Sequence, residues 1–199
     1  MSGKPTPTFS SNGRKQRVLD VGGKNGVTVR QYYPDADITV VDMCNGWDVM
    51  KLGLPTFTWD VIFASHFIEH IVNPDFFLDE CKRVMQPESV LEIATPNLAA
   101  WFNRGLLLFG YQPHFTEVST RYDVGKFRMG KEEAPGGHLR LFTARALREL
   151  LVRHGFTIRR FVGRPIGFSL PQPLKALDQC FSQWPSTASE LRVTCGYGG

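Results

Sequence analysis

A glycine-rich segment and a distant aspartate form the part of the sequence best suited to chemistry. Asp20, Gly22, Gly23 and Gly26 lie together directly after a short apolar run. Glycines at such a point let a ligand approach the backbone closely. Twenty residues beyond Gly22, Asp42 ends a second apolar run, where a carboxylate can accept both hydroxyl groups of a ribose. The combination predicts a site for a cofactor that contains a nucleoside.

The spacing of the glycines separates two classes of such cofactors. A dinucleotide-binding loop has the pattern G-x-G-x-x-G, and Lys24 stands where its second glycine would be. This departure argues against a nicotinamide-dependent oxidoreductase, which we keep as an alternative. Instead, an acid at Asp20 precedes Gly22, and a further glycine follows at Gly26.

Four segments carry a family resemblance: Asp20–Gly26, Trp59–His70 with its terminal Glu-His, Glu80–Asn97, and Gly137–Phe156. Together they resemble the class I S-adenosylmethionine-dependent methyltransferases, in particular the type-11 branch. The resemblance implies a Rossmann-like α/β fold, S-adenosyl-L-methionine as cofactor and methyl transfer as the activity.

The resemblance also implies which residues bind the cofactor. They are Asp20, Gly22, Gly23, Gly26, Asp42, Asp48, Ser65 and His66. The first four would shape the pocket for the methionine part and Asp42 would hold the ribose. Asp48 would face the adenine amino group, and Ser65 and His66 would lie under the sulfonium and its methyl group. Lys24 replaces a glycine of the family, which keeps open a degenerate methyltransferase that binds a nucleoside ligand or a protein partner without turnover.

Three histidines are candidate catalytic bases for a hydroxyl acceptor. His66, His114 and His138 each fall at a predicted strand end or in a segment that would cover the site. The stretch from His66 to His70 also matches H-x-x-E-H, an inverted zinc-protease signature. That motif needs both histidines on one helix, whereas His66 directly follows a predicted strand. We therefore expect no metal at this motif, and we expect Glu69 and His70 to orient the loop.

Apolar strands that alternate with helices must position these residues. Strands are predicted at 17–22, 37–42, 60–65, 89–95, 156–162 and 191–197. With the resemblance, this pattern predicts a mostly parallel seven-stranded sheet with helices on both faces and an antiparallel last strand. Ligands of such sheets bind at the carboxyl ends of the strands, where the residues named above fall.

The chain divides into a tail, a domain and an insertion. Residues 1–16 are polar and rich in Pro, Ser and Gly, so they predict a flexible tail, and residues 17–199 predict a single methyltransferase domain. Aromatic residues and interleaved bases at 98–138 predict a lid that also forms the acceptor pocket. Such a pocket suits a small-molecule or glycan-type acceptor, and an anionic one in particular. The apolar run at 101–111 leaves open a contact with a membrane surface or a partner.

Composition excludes several other classes. The 199 residues are 42% hydrophobic and 21% charged, which is typical of one globular domain. No apolar run approaches the roughly 20 residues of a membrane span, and the N-terminus lacks a secretory signal, so we expect a cytoplasmic protein. Residues 140–175 carry eight bases and one acid. We do not expect nucleic-acid binding, because several of these bases lie between the apolar positions of a predicted helix.

Overall fold

The computed structural model describes residues 14–42, 53–127, 135–165 and 172–197. They form a six-stranded sheet with the order β2-β1-β3-β4-β6-β5. The strands are β1 (Arg17–Val21), β2 (Asp37–Val41), β3 (Trp59–Ser65), β4 (Met85–Pro96), β5 (Phe156–Arg164) and β6 (Glu190–Tyr197). The first four strands run parallel, and β6 runs antiparallel to both β4 and β5. The predicted α/β class and the antiparallel last strand are confirmed.

Within the described ranges, five helices and one 3-10 turn connect the strands. They are α1 (Val27–Tyr32), the 3-10 turn (Ile68–His70), α2 (Pro74–Val84), α3 (Trp101–Leu108), α4 (Ala144–Arg153) and α5 (Gln172–Phe181). Asn73 caps α2 by accepting a hydrogen bond from the N–H of Phe76 at 3.0 Å. Thr143 caps α4 by accepting one from Ala146 at 3.1 Å. Both caps are residue types that the sequence marks as helix starts. None of the described helices is long and apolar enough to cross a membrane.

The alternation of side chains along the central strands gives the sheet two apolar faces. Leu19 and Ile62 belong to a large core that also contains Phe77 of α2 and Leu147 of α4. Neighbouring residues on the same strands point the other way and pack, with Val29 of α1, in a second, smaller core. Helices therefore lie on both faces of the sheet, as predicted.

The number of strands differs from the predicted seven. The described residues form six, and no strand pairs with the outer edge of β2. A further parallel strand beyond β2 would need one crossover to reach it and a second to return to β3, each about a dozen residues long. The connection between β2 and β3 comprises residues 42–58, of which residues 43–52 lie outside the described part of the chain.

Buried asparagines hold the start of α3 against the chain that enters β6. The side-chain N–H₂ group of Asn97 donates to the carbonyl of Ala188 at 2.7 Å. Asn103, fully buried in α3, donates to the carbonyl of Asn97 at 3.2 Å. These bonds pair the buried side-chain amides with backbone carbonyls. They fix where α3 leaves the carboxyl end of β4.

Residues 14–16 are the described part of the predicted tail. The guanidinium of Arg14 makes two hydrogen bonds to Asp60, at 2.7 and 2.8 Å. The backbone N–H of Arg17 donates to the same carboxylate. This end of the predicted tail is therefore tied to β3. Of the four cysteines, Cys44 lies outside the described residues, and the other three are free thiols.

Candidate active site

Asp20 lies at the carboxyl end of β1 with one oxygen unsatisfied. The residue is 1% exposed, and its Oδ2 has no hydrogen-bond partner. Burial and, second, the charge of Asp42 raise the pKa of Asp20 to about 6. An ionised, buried acceptor is costly unless a donor reaches it. Oδ2 of Asp20 can therefore accept a hydrogen bond from a ligand that carries an N–H or ammonium group.

The glycine loop after Asp20 turns tightly around an aromatic ring. Gly22 has a φ of +75°, and a Cβ added there would lie 2.4 Å from the ring of Phe67. Its N–H donates to the carbonyl of Val41 at 2.8 Å. Both the backbone angle and the close approach require glycine at this position. The turn brings the end of β1 next to the end of β2, as the predicted site needs.

Asp42 directly follows β2 and is 7% exposed. Its Oδ2 accepts a hydrogen bond from the backbone N–H of Lys24 at 3.1 Å. Lys24 has a φ of +50°, the left-handed region that costs a residue with a Cβ roughly 1–2 kcal/mol. The loop therefore keeps the backbone shape of a glycine at residue 24 although it carries a lysine there, and the shape points the N–H at Asp42.

His66 sits between two carboxylates at the carboxyl end of β3. Its Nε2 lies 3.1 Å from Glu190 and its Nδ1 lies 3.4 Å from Glu69. The hydrogen bond with Glu190 and, next, the contact with Glu69 raise the pKa of His66 to about 9. The imidazole is therefore a cation at neutral pH, so it can donate hydrogen bonds but has no free lone pair.

Glu190, at the start of β6, links His66 to a further pair of residues. Burial alone would raise the pKa of Glu190, but His66 and Arg192 together hold it below its ordinary value. Nε of Arg192 lies 2.5 Å from the Glu190 carboxylate, and its guanidinium also donates to the hydroxyl of Tyr32 on α1. These contacts connect the His66 ring, at the end of β3, to β6 and, through Arg192, to α1.

A second cluster joins the turn after β3 to the segment before α4. Nδ1 of His70 lies 3.1 Å from the carbonyl of Gly137, and the rings of His70 and His138 stack at 4.7 Å. Nδ1 of His138 lies 3.0 Å from Glu117. Although burial opposes it, hydrogen bonds from His138 and from two backbone N–H groups lower the pKa of Glu117. The segment 135–140 is thus docked on the turn that carries Glu69 and His70.

The structure brings together most of the residues selected from the sequence. Asp20, Gly22 and Asp42 meet at the ends of β1 and β2, and Gly26 begins α1 with a φ of +71°. Ser65 and His66 follow at the end of β3. The ring of His114 packs against Phe102 and Phe115, and Phe115 in turn contacts the ring of His138. Asp48 lies outside the described residues.

Two functional candidates, Glu117 and Glu190, have no local signal in the sequence. Glu190 lies 124 residues from His66 along the chain, and Glu117 lies in an irregular stretch without a motif. Only the folded arrangement shows that each acid faces a histidine. A charged residue at the first position of an apolar last strand is the single weak indication, and it applies to Glu190 alone.

The sequence matches the profile described as "Methyltransferase domain" over residues 3–160. The chain belongs to this methyltransferase family. The match confirms the class I resemblance found in the sequence motifs, and the type-11 branch is consistent with it. No curated protein sequence gives a significant match.

Solved structures of methyltransferases share the fold at low sequence identity. A putative S-adenosylmethionine-dependent methyltransferase from Listeria monocytogenes is 12% identical, with a TM-score of 0.60 over 94% of this chain and 92% of that one. One from Archaeoglobus fulgidus is 16% identical, with a TM-score of 0.56 over 92% and 86%. The 1,6-didemethyltoxoflavin-N1-methyltransferase of Burkholderia thailandensis, solved with its acceptor and S-adenosylhomocysteine, is 16% identical with a TM-score of 0.55 over 94% and 73%.

The methyltransferase uses S-adenosyl-L-methionine as its cofactor, and the end of β1 fits that group. The unsatisfied Oδ2 of Asp20 is a suitable acceptor for a cationic amino group, which the methionine part of the cofactor carries. When bound, the cofactor supplies an electrophilic methyl group on a sulfonium. The protein then accelerates transfer largely by aligning the acceptor atom with that methyl group.

Proposed function

We propose that this methyltransferase acts on a small-molecule or glycan-type acceptor bound between the 66–70 turn and the segment 98–138. The observation that carries the proposal is the docking of residues 135–140 on that turn. The carbonyl of Glu69 accepts hydrogen bonds from the N–H groups of Leu139 at 2.8 Å and Arg140 at 3.2 Å. A loop that folds back on a strand end covers it, and an acceptor site covered in this way suits a small acceptor better than a duplex or a protein surface.

We assign the cofactor-binding roles from where the residues lie at the carboxyl ends of β1, β2 and β3. Asp20 accepts the amino group of the methionine part, and the backbone of Gly22, Gly23 and Gly26 leaves room for it. Asp42 accepts the ribose hydroxyl groups. Ser65 and His66 lie under the sulfonium at the next strand end. Asp48 remains a prediction for the adenine, because it is not among the described residues.

The segment 98–138 provides the lid and the acceptor contacts. It contributes the exposed aromatic residues Tyr111, Tyr122 and Phe127. Arg121 is exposed, whereas the ammonium of Lys126 lies 3.5 Å from Asp123 and has that charge to neutralise it. Arg121 and Arg140 are therefore the bases that favour an anionic acceptor.

We retain His66, His114 and His138 as candidates for a role in catalysis. The argument differs for each of them. The cation at His66 suits an electrostatic and positioning role at the strand end more than proton abstraction. His138 lies in the docked segment, within reach of the same turn. His114 packs in the aromatic part of the lid, one ring removed from His138 through Phe115.

Methyl transfer from S-adenosylmethionine with a labelled methyl group tests the acceptor class. The purified enzyme is incubated with separate pools of small metabolites, oligosaccharides, total RNA, DNA and protein. We expect label in the small-molecule or oligosaccharide pool, and a raised KM when Arg121 and Arg140 are both changed to Glu. Label confined to RNA, DNA or protein would contradict the proposal. Cofactor binding without transfer to any pool would favour the degenerate methyltransferase.

The end of α3 favours a second contact, with a membrane surface. Leu107, Leu108 and Phe109 are 57%, 81% and 77% exposed. Three consecutive apolar side chains at the free end of a helix are unusual on a surface that faces only water. Their position within the proposed lid, residues 98–138, suits an enzyme that takes an acceptor from, or works beside, a lipid surface.

A further inference from the structure

We propose that Glu69, His70 and His138 form a binding site for a divalent transition-metal ion. One carboxylate oxygen of Glu69 and one ring nitrogen of each histidine lie within 4.8 Å of one another. Two imidazoles and one carboxylate are a ligand set that binds Zn²⁺ and the neighbouring first-row ions. The site differs from the H-x-x-E-H motif, because His66 is not a ligand and the third ligand comes from a distant segment.

Both histidines are held in the form that a metal requires. The carbonyl of Gly137 can only accept a hydrogen bond, so Nδ1 of His70 must donate to it. Nδ1 of His138 donates in the same way to the carboxylate of Glu117 at 3.0 Å. In a neutral imidazole this leaves the lone pair on Nε2. Metal-binding histidines usually have this arrangement, with the second nitrogen donating to a carbonyl or carboxylate.

Glu69 supplies a buried carboxylate with spare capacity. The residue is fully buried, and the hydroxyl of Thr95 donates to its Oε2 at 3.0 Å. Oε1 has no well-formed hydrogen bond; the nearest donor, Nδ1 of His66, lies 3.4 Å away. Leaving a carboxylate partly unsatisfied in the interior is costly. The His66 cation balances part of this charge from 3.4 Å, and a metal ion would give Oε1 the close partner that it lacks.

Metal binding requires the ligands to rearrange. Ligands about 2.1 Å from a metal ion lie at most about 4.2 Å apart, so the ligand atoms must move closer together, and the stacked rings of His70 and His138 must rotate to aim both lone pairs at one ion. His70 and His138 are only half-buried and can make this adjustment. Three protein ligands leave at least one position for water or an oxygen atom of a substrate, which is typical of catalytic rather than structural sites. Coordination of an acceptor oxygen rests on the proposed function, whereas metal binding itself does not.

Calorimetric titration of the metal-free protein with Zn²⁺ tests the site. We expect one ion per chain. Changing a ligand, in His70→Gln or His138→Gln, should weaken binding by at least about 100-fold, and Glu117→Gln by about 10- to 100-fold, the usual effect of losing an outer partner. His154→Gln is the matched control, because that imidazole faces Asp75 and Asp79 on a different part of the surface.

The visible absorption of the Co²⁺-loaded protein gives a second readout, which should change on His138→Gln and remain on His154→Gln. Thermal unfolding without metal verifies that each variant is folded. Equal Zn²⁺ affinity in the wild type and His138→Gln, or loss of affinity in His154→Gln alone, would overturn the proposal. One bound ion that is lost in His138→Gln, without methyl transfer to any small molecule, would support the metal site and contradict the proposed acceptor.

Discussion

The carboxylate of Asp20 occupies the space that a side chain at residue 23 would need. A Cβ built on Gly23 would lie 1.8 Å from Oδ2 of Asp20. The glycine is therefore required by the position of the acid, and the acid is held by the absence of a side chain at residue 23. A substitution at either residue should therefore shift the position of the other. It should also change the binding of the cofactor that approaches this oxygen.

Gly23→Ala should destabilise the protein by about 1–3 kcal/mol, because the added methyl group must displace a buried carboxylate. In an Asp20→Ala background the same change should cost less than about 0.5 kcal/mol, since the clash is gone. Urea unfolding of the four proteins of this cycle measures both values. Gly105→Ala in α3 is the control, because a Cβ there meets nothing within 4 Å. Equal costs in both backgrounds would show that Asp20 is not what excludes the side chain.

Asp20→Asn should make stability less dependent on pH. The folded-state pKa of Asp20, about 6, lies above its ordinary value of 3.8. The folded protein thus binds this proton more tightly than the unfolded chain does. Wild-type stability should rise as the pH falls from about 6 to about 4, by at most about 3 kcal/mol from this group. The variant lacks that contribution.

The difference between Asp20→Asn and the wild type isolates this carboxyl from all others. Asparagine should be the more stable form at pH 8, and its advantage should shrink toward pH 4. Urea unfolding at pH 8, 6 and 4.5 gives the three differences. A constant difference across that range would mean that the Asp20 pKa is not raised in the folded protein.

Asp42→Ala should weaken S-adenosylmethionine binding by roughly 30- to 1,000-fold. Two hydrogen bonds from ribose hydroxyl groups to a carboxylate contribute about 2–4 kcal/mol after their shared desolvation cost. Calorimetry with the cofactor measures the change. Asp37→Ala is the matched control, because Asp37 is exposed at the opposite end of the same strand. Similar losses in both variants would remove Asp42 from the ribose site.

The predicted lid should exchange its amide hydrogens much faster than the sheet. Residues 112–127 form no helix or strand, so opening them breaks few backbone hydrogen bonds. Val61 to Ser65 lie in β3, between two neighbouring strands. Hydrogen exchange followed by mass spectrometry compares the two segments without acceptor. Exchange in 112–127 as slow as in β3 would argue against a lid.

The exposed end of α3 should bind lipid vesicles. Sedimentation with vesicles of phosphatidylcholine and phosphatidylglycerol measures the bound fraction. Changing both Leu108 and Phe109 to Ser should reduce binding by at least about tenfold, because each buried side chain contributes about 1.5–3 kcal/mol. Val152→Ser on α4 is the control, since Val152 is 56% exposed on another surface. If the wild-type protein stays in the supernatant, the proposed contact between α3 and a membrane surface is wrong.

The local elements could be predicted because their signals lie within a few residues. Apolar runs gave the strands, and Asn73 and Thr143 marked the helix starts that the structure contains. Asp20 and Asp42 could be selected because glycines and strand ends accompany them. The mostly parallel direction of the strands and the antiparallel last strand followed from the alternation with helices and from the family resemblance, whereas the order of the strands was not predicted.

The contacts between distant segments could not be predicted. Glu190 reaches His66, and Glu117 reaches His138, only because the fold brings their segments together. Neither a periodic pattern nor a motif in a single sequence indicates which distant residues will pair in this way. The seventh strand of the prediction has no counterpart among the described residues, because the resemblance and not the sequence pattern supplied it.

The position of β6 between β4 and β5 has a consequence for how the protein is made. Its residues hydrogen-bond to β4 on one side and to β5 on the other, and they carry the partner of His66. Until Glu190 and the residues after it leave the ribosome, both neighbours have an unpaired edge that can join another chain. A nascent or truncated chain that ends before Glu190 should therefore aggregate and depend on chaperones.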